Sequence, residues 1–387
     1  MAPPNPRIPV FLLTGFLGSG KTTLLNALLR EPAFANTAVI VNEFGEIGLD
    51  HFLIERSQDN VVLLDAGCLC CTISDSLHET LADLYSRRIR GEVPAFARVV
   101  VETTGLAEPA PILNTLLGHS LIVPNYRLEA TVVTVDALHA GELLDAQPEV
   151  AHQIAVADRL LLTKTDLASV DTGLVERLRE LNAFAPLIES VSGARALEAF
   201  ATGAGDRVPI ADRVARTAGP PSLAQHAHDE RHDHDHRPSS SGESVAAHPA
   251  ADRNRHDAHI RAHCLVIDDP VSWSGIAAWW QWMVESLGDR MLRCKGLFRI
   301  AETGEIVFVQ GVQRVFHRPE RLAVWPDDDP RSRLVCIARD TAEHEVCQTL
   351  AALGIASGSD PRAALAQLRT HPEGTRTTAS ARSGTIG

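Results

Sequence analysis

Thr14-Gly15-Phe16-Leu17-Gly18-Ser19-Gly20-Lys21-Thr22-Thr23 decides how the chain folds. Gly15, Gly18, Gly20, Lys21 and Thr22 fit the phosphate-binding pattern of Gly, four residues, Gly, Lys, then Ser or Thr. The run Ile8, Val10, Phe11, Leu12 and Leu13 before it is β-branched and aromatic, as a buried strand requires. Leu24, Leu25, Leu28 and Leu29 after it recur at helical spacing. Strand, glycine loop and helix therefore follow in the order that brings backbone N–H groups and a helix N-terminus to one anion. Lys21 can reach the β- and γ-phosphates, Thr22 can ligate magnesium, and Ser19 and Thr23 belong to the same loop. A glycine turn that merely contains a Lys would lack both flanks. The stretch reads as a nucleoside triphosphate site.

Outward from that loop, residues 8 to about 200 alternate short β-rich runs with helical patterns. The expected strands are Val10–Leu13, Ala38–Val41, Val61–Leu64, Arg98–Val101, Ala130–Val135 and Arg159–Leu162. This implies an α/β fold, a mostly parallel sheet with helices on both faces, and ligands at the carboxyl ends of its strands. At 387 residues there is room for a second unit. The expected division is a phosphate-loop domain over residues 1–202, a His/Asp-rich linker over 203–259, a smaller α+β domain over 260–355 and a flexible tail over 356–387.

A formal net charge of −13 argues against nucleic-acid or membrane-surface binding. No signal peptide or spanning segment is apparent. Three of the seven cysteines crowd into Cys68, Cys70 and Cys71, a poor disulfide framework that fits a reduced, cytoplasmic setting.

Four further stretches carry chemistry. Asn42-Glu43-Phe44-Gly45-Glu46 follows the second strand; its carboxylates can hold magnesium or a second metal, or form a solvated acidic turn. Cys68-Leu69-Cys70-Cys71 follows the third strand, and clustered thiols are soft ligands suited to zinc or cobalt, with an oxygen or nitrogen completing the shell. Thiol redox chemistry and plain packing are the other readings. Glu102 ends the apolar run Val99-Val100-Val101 with Gly105 three positions on, which suits a carboxylate meeting magnesium or the attacking water. Thr163-Lys164-Thr165-Asp166 closes the last strand: Asp166 can accept both hydrogen bonds from guanine, and Lys164 can cover the base.

Together GFLGSGKTT, VNEFGE, GCLCC, VVVETTG and TKTD resemble the CobW-type metallochaperone GTPases, relatives of the nickel-inserting urease and hydrogenase accessory GTPases. The resemblance covers Ile8 to Phe184 and, more loosely, the C-terminal part. It implies GTP hydrolysis with Mg2+, coupled to binding of a transition metal, zinc first and cobalt next, and its delivery to a client metalloprotein. Carried over residue by residue, Lys21 and Thr22 match the phosphate loop, and Glu43 and Glu46 the acidic switch. Cys68, Cys70 and Cys71 match the metal motif, Glu102 the second acidic element, and Lys164 and Asp166 the guanine motif. The expected magnesium set is Thr22, Glu43 and Glu102; the expected cargo-metal set is the three cysteines with Glu46. Glu102 and Lys21 are the expected catalytic pair. Thr163 departs from the Asn of the general GTPase motif, so the amide that braces the phosphate loop is missing. A homodimer is among the assemblies such a protein can form.

From Ala201 the pattern dissolves into Gly, Pro, Ser, Asp and His. His226, His228, His232, His234 and His236 alternate with acidic residues, which suits weak, multi-site metal capture or a polar spacer. A metal store built on that linker, with a regulatory nucleotide site, is the alternative function. Beyond Ile260, strands are expected over His263–Ile267, Arg293–Phe298, Ile306–Gln310, Val312–His317 and Leu334–Ala338. Helices are expected over Trp273–Leu287, with its tryptophans in a core, and Ala342–Leu353. Cys264, Cys294 and Cys336 read as core residues, and Arg293 and Lys295 as exposed sheet charges, with contact to a client or to the nucleotide domain as the other reading.

Overall fold

The structure, a computed structural model, describes residues 7–42, 62–65, 73–167, 169–190, 193–201, 260–325 and 329–370. The first half supplies β1 (Ile8–Gly15), α1 (Lys21–Leu29), β2 (Thr37–Asn42), β3 (Val62–Asp65), α2 (Ile73–Arg90), β4 (Arg98–Thr103) and α3 (Pro109–Gly118). It continues with β5 (Tyr126–Asp136), α4 (Ala140–Ala146), α5 (Pro148–Val156), β6 (Arg159–Thr163), α6 (Thr172–Leu181), β7 (Leu187–Glu189) and α7 (Gly193–Ala196). The seven strands form one sheet in the order β3-β2-β4-β1-β5-β6-β7, paired in parallel throughout. Helices cover both of its faces, so its strands are apolar without alternation. Val10 and Leu12 enter one core with Ile154 and Leu162, while Phe11 and Leu13 enter the other with Leu25, Phe34 and Phe200. β1 lies at the centre of the sheet, which puts the glycine loop over its middle.

The second half holds β8 (Ile260–Ile267), α8 (Trp273–Ser286), β9 (Met291–Arg299), β10 (Ile306–Val312), β11 (Val315–Phe316), β12 (Glu320–Leu322), β13 (Ser332–Arg339), α9 (Glu343–Thr349) and α10 (Pro361–Thr370). Its sheet is antiparallel, in the order β11-β10-β9-β13-β8 with β12 also on β10. Trp279 is fully buried under that sheet and meets Phe298 edge-on at 5.8 Å. Ser272 caps α8 by accepting from Gly275 N at 2.8 Å. Cys264, Cys294 and Cys336 are buried.

Three expectations for this half change. The strand expected over Val312–His317 is a hairpin, because Gln313 turns the chain with φ 50° and Val312 then pairs with Val315. The tail expected to be flexible from 356 contains α10, whose Leu365 is buried in the core that includes Trp279. Arg293 and Lys295 are not exposed sheet charges. They share a face of β9 with Leu297, and that face packs on the nucleotide domain in one hydrophobic core with Ile154, Leu178 and Val335. Lys295 pairs there with Asp158, which lies just before β6. Arg339 donates to His152 Nε2 at 3.0 Å, and His317 reaches Asn114 Oδ1 at 3.1 Å. Among the described residues, no helix is long and apolar enough to cross a membrane.

Candidate nucleotide site

β1 stops at Gly15 because the next strand leaves no room for a side chain: a Cβ there would overlap Thr134, and φ is 141°. Gly18 and Gly20 also have positive φ, 72° and 86°, and Gly20 N-caps α1. The loop between them wraps closely, and the first turn of α1 offers its N–H groups to an anion. Ser19 is pinned on both sides, its hydroxyl 2.7 Å from Thr134 Oγ1 and its carbonyl accepting from Thr163 Oγ1 at 2.8 Å. Thr163 thus braces the phosphate loop with a hydroxyl in place of an amide, and the departure from the general motif does not leave the loop unsupported.

Lys21 is 8% exposed and folds back over the loop, its Nζ donating to Gly15 O at 2.9 Å and Phe16 O at 3.1 Å. These carbonyls hold the ammonium at the glycine loop, the place from which such a lysine meets phosphate oxygens. Thr22 Oγ1 donates to Glu102 Oε1 at 2.7 Å. β1 and β4 bring this about, since Leu13 lies opposite Glu102 in register. A hydroxyl and a buried carboxylate at the foot of a phosphate loop are hard oxygen donors, the chemistry Mg2+ takes. The hydroxyl of Thr104, two residues past Glu102, is buried with no hydrogen-bond partner among the described residues.

The backbone after Glu102 touches the phosphate loop. A Cβ on Gly105 would lie 2.5 Å from Leu17 N, so only glycine permits that approach. α5 holds the same segment from behind. Gln153, 1% exposed, donates to the carbonyls of Gly105 and Ala107, each at 3.2 Å. His152 beside it accepts from Arg339, which places its proton on Nδ1, where it donates to Glu108 Oε2 at 3.2 Å.

At the other end of the loop, Lys164 takes a left-handed φ of 59° and donates to Asp136 Oδ2 at 2.6 Å. Asp136 also accepts from Leu138 N at 2.9 Å and lies 3.0 Å from His139 Nδ1. Burial pushes the Asp136 carboxyl up, but the hydrogen bonds from Lys164 and His139 outweigh it and hold it below the usual range. Sequence reasoning missed Asp136. Its signal was present: a carboxylate ending the apolar strand Val132–Val135, as Glu102 ends Val99–Val101. Asp166 is exposed in the turn after β6.

Glu43, Glu46, Cys68, Cys70 and Cys71 lie outside the described residues, as do His226, His228, His232, His234 and His236. Among the described residues, no three His, Cys, Asp or Glu are grouped to hold a metal. The backbone does fix where those two segments start. Asp65 pairs with Val41, Val41 with Glu102 and Glu102 with Leu13, one row across four strands. The stretch carrying Glu43 leaves β2 one residue beyond Asn42, and that carrying Cys68 leaves β3 just after Asp65. With strands ~4.8 Å apart, β3 lies about 10 Å from β4.

Known proteins agree with this arrangement. Residues 9–189 match the CobW/HypB/UreG nucleotide-binding domain, and residues 260–353 match the cobalamin synthesis protein cobW C-terminal domain. The chain is 33% identical over 353 residues to the zinc chaperone YjiA of Escherichia coli, covering 90% of this chain and 99% of that one. It is 29% identical over 267 residues to the zinc chaperone CobW of a Sinorhizobium species, covering 59% and 71%. The crystal structure of zinc-bound YjiA GTPase from Escherichia coli superposes with a TM-score of 0.58 at 28% identity, over 90% of this chain and 99% of that chain. With its phosphate loop, its braced strand ends and both domains matched, the chain belongs to the CobW family.

Proposed function

We propose that this protein hydrolyses GTP and, under control of the bound nucleotide, carries a transition metal to a client metalloprotein in the cytoplasm. The observation that carries the reading is the half-buried Thr22–Glu102 pair beside Lys21 at the mouth of the glycine loop. The loop N–H groups and the α1 N-terminus bind the phosphates. Lys21 leaves the Gly15 and Phe16 carbonyls for the β- and γ-oxygens, where charge builds as the bond to the γ-phosphorus breaks. Thr22 and Glu102, with Glu43, would hold Mg2+, which neutralises phosphate charge when bound. Glu102 also orients the water that attacks the γ-phosphorus, giving GDP and inorganic phosphate. Asp166 accepts from guanine N1–H and the 2-amino group, a pair adenine lacks, and Lys164, anchored by Asp136, covers the base.

The cargo is zinc, with cobalt as the second choice, bound by Cys68, Cys70, Cys71 and Glu46. Coupling follows from the start points of the two segments: both leave the edge of the sheet that carries Glu102. A γ-phosphate with Mg2+ orders the Glu43–Glu46 segment against the cysteines, and hydrolysis loosens the shell. GTP and metal then raise each other's affinity by the same factor.

The test is titration of zinc-free protein with zinc and cobalt in competition, in the presence of a GTP analogue or GDP. Affinity roughly tenfold tighter with the analogue, lost on Cys70→Ser, supports the reading. Equal affinity in the two nucleotide states would remove the coupling. Retention of the tight equivalent after all three cysteines become serine would remove the site.

A further inference from the structure

On the reading that GTP is hydrolysed at the glycine loop, we propose that Thr104 is a further catalytic residue, its hydroxyl holding the water that attacks the γ-phosphorus. Thr104 is 4% exposed, and its Oγ1 has no hydrogen-bond partner among the described residues. The hydroxyls around it are engaged. Thr103 donates to Thr14 Oγ1 at 2.7 Å, Ser19 lies 2.7 Å from Thr134 Oγ1, Thr22 donates to Glu102 and Thr163 to the Ser19 carbonyl. A buried hydroxyl without a partner is destabilising, and a methyl group in its place would remove the penalty. A threonine kept in that condition calls for a partner that arrives with the substrate.

Position says which partner. Side chains alternate along β4. Val100 enters the core with Phe11 and Leu25, Val101 the core with Leu12, and Glu102 returns to the first side, where α1 presents Thr22. Thr103 crosses to Thr14, and Thr104, one residue past the strand, falls on the Glu102 side again. Gly105 next to it lies against the phosphate loop, where a Cβ would sit 2.5 Å from Leu17 N. Thr104 therefore stands between the Thr22–Glu102 pair and Leu17, the two sides between which the loop and Lys21 place the terminal phosphate. Its backbone is held: the Thr104 carbonyl accepts from Ala107 N at 3.2 Å, and Gln153 binds the carbonyls of Gly105 and Ala107. A fixed hydroxyl shielded from bulk water is preorganised for one bound water.

A threonine hydroxyl can donate one hydrogen bond and accept others at the same time. Here it accepts from the attacking water and donates to a γ-phosphate oxygen, which aims a lone pair of the water at phosphorus. The water oxygen bonds to the γ-phosphorus, the bond to the β–γ bridging oxygen breaks, and its electron pair leaves with GDP. Both water protons end on the inorganic phosphate, and Thr104 keeps its own.

The experiment compares Thr104→Val and Thr104→Ser in the full chain with the parent, by single-turnover GTP hydrolysis with Mg2+, GDP affinity and melting temperature. Thr104→Val should slow hydrolysis on the order of 100-fold, change GDP affinity by less than about twofold, and keep or raise the melting temperature. Thr104→Ser should hydrolyse within about threefold of the parent. GDP with aluminium fluoride, a mimic of the phosphoryl group in transit, should bind Thr104→Val at least about tenfold more weakly than the parent. A threonine that served only the fold would lower stability and GDP affinity along with the rate. A loss under about tenfold in Thr104→Val, an equal loss in Thr104→Ser, unchanged affinity for the fluoride complex, or GDP affinity falling in step with the rate overturns the proposal. A parent that hydrolyses no GTP removes the enzyme reading itself and this role with it, whereas an active parent matched by Thr104→Val removes the role alone.

Discussion

Replacing Thr163 with Val changes one atom group and keeps the shape. The Thr163 hydroxyl has a single hydrogen, directed to Ser19 O at 2.8 Å and, less closely, to Val135 O at 3.2 Å. In the variant the Ser19 carbonyl loses its side-chain donor in a buried setting, a loss worth about 1–2 kcal/mol. Ser19 also keeps its hydroxyl contact with Thr134, so the loop is loosened and not released. If most of that energy was spent holding the loop in its phosphate-binding shape, nucleotide affinity falls about three- to thirtyfold, at tenfold per 1.4 kcal/mol. Thr163→Ser retains the donor and should stay within about twofold of the parent. The assay is titration of a fluorescent GDP analogue with Mg2+, alongside melting temperature. If Thr163→Val binds as tightly as the parent, the hydroxyl does not brace the loop and the substitution for Asn is neutral filler.

Three further outcomes are expected. Glu102→Gln removes the charge beside Thr22, and hydrolysis should drop on the order of 100-fold while GDP binding persists; single-turnover kinetics reads this. Gln153→Leu frees the Gly105 and Ala107 carbonyls, and the turnover number should fall several-fold with little change in GDP affinity. Equal losses in both would show that Gln153 merely supports the fold. Burial, with Arg293 nearby, pushes His317 down to about 4. The unfolded chain titrates near 6.5 and so takes up its proton first, and stability falls as pH drops through that window. Between pH 6.5 and 5 the loss from this group is about 1.5 kcal/mol. Denaturant unfolding of His317→Gln should show a correspondingly flatter pH dependence, and parallel curves would place His317 in contact with water.

What could be read along the chain was local. The Gly15–Thr22 pattern, the apolar runs and the strand-end residues Glu102 and Lys164 each show themselves within a short stretch of neighbouring sequence. What could not be read depends on partners far apart. Thr163 bracing Ser19 joins residues 144 apart, and Lys164 meets Asp136 across 28. Arg293 and Lys295 alternate with apolar residues as an exposed strand face would, and nothing nearby in sequence says that Asp158 covers them. α10 follows Gly358 and Asp360, a stretch whose composition suggests a tail; Leu365 earns its place only by packing under α8. The cysteine motif is the reverse case, legible in sequence and outside the described residues.

Gly105 has a consequence for how the molecule works as a machine. Between that residue and Leu17 there is space for a hydrogen atom and nothing larger. Two stretches in such contact cannot shift independently, so whatever lifts one displaces its neighbour. Behind Gly105 stands Gln153, adjoining His152 and through it Arg339 of the far domain. The glycine loop is thereby joined to the second domain through an unbroken run of contacts, none longer than a side chain.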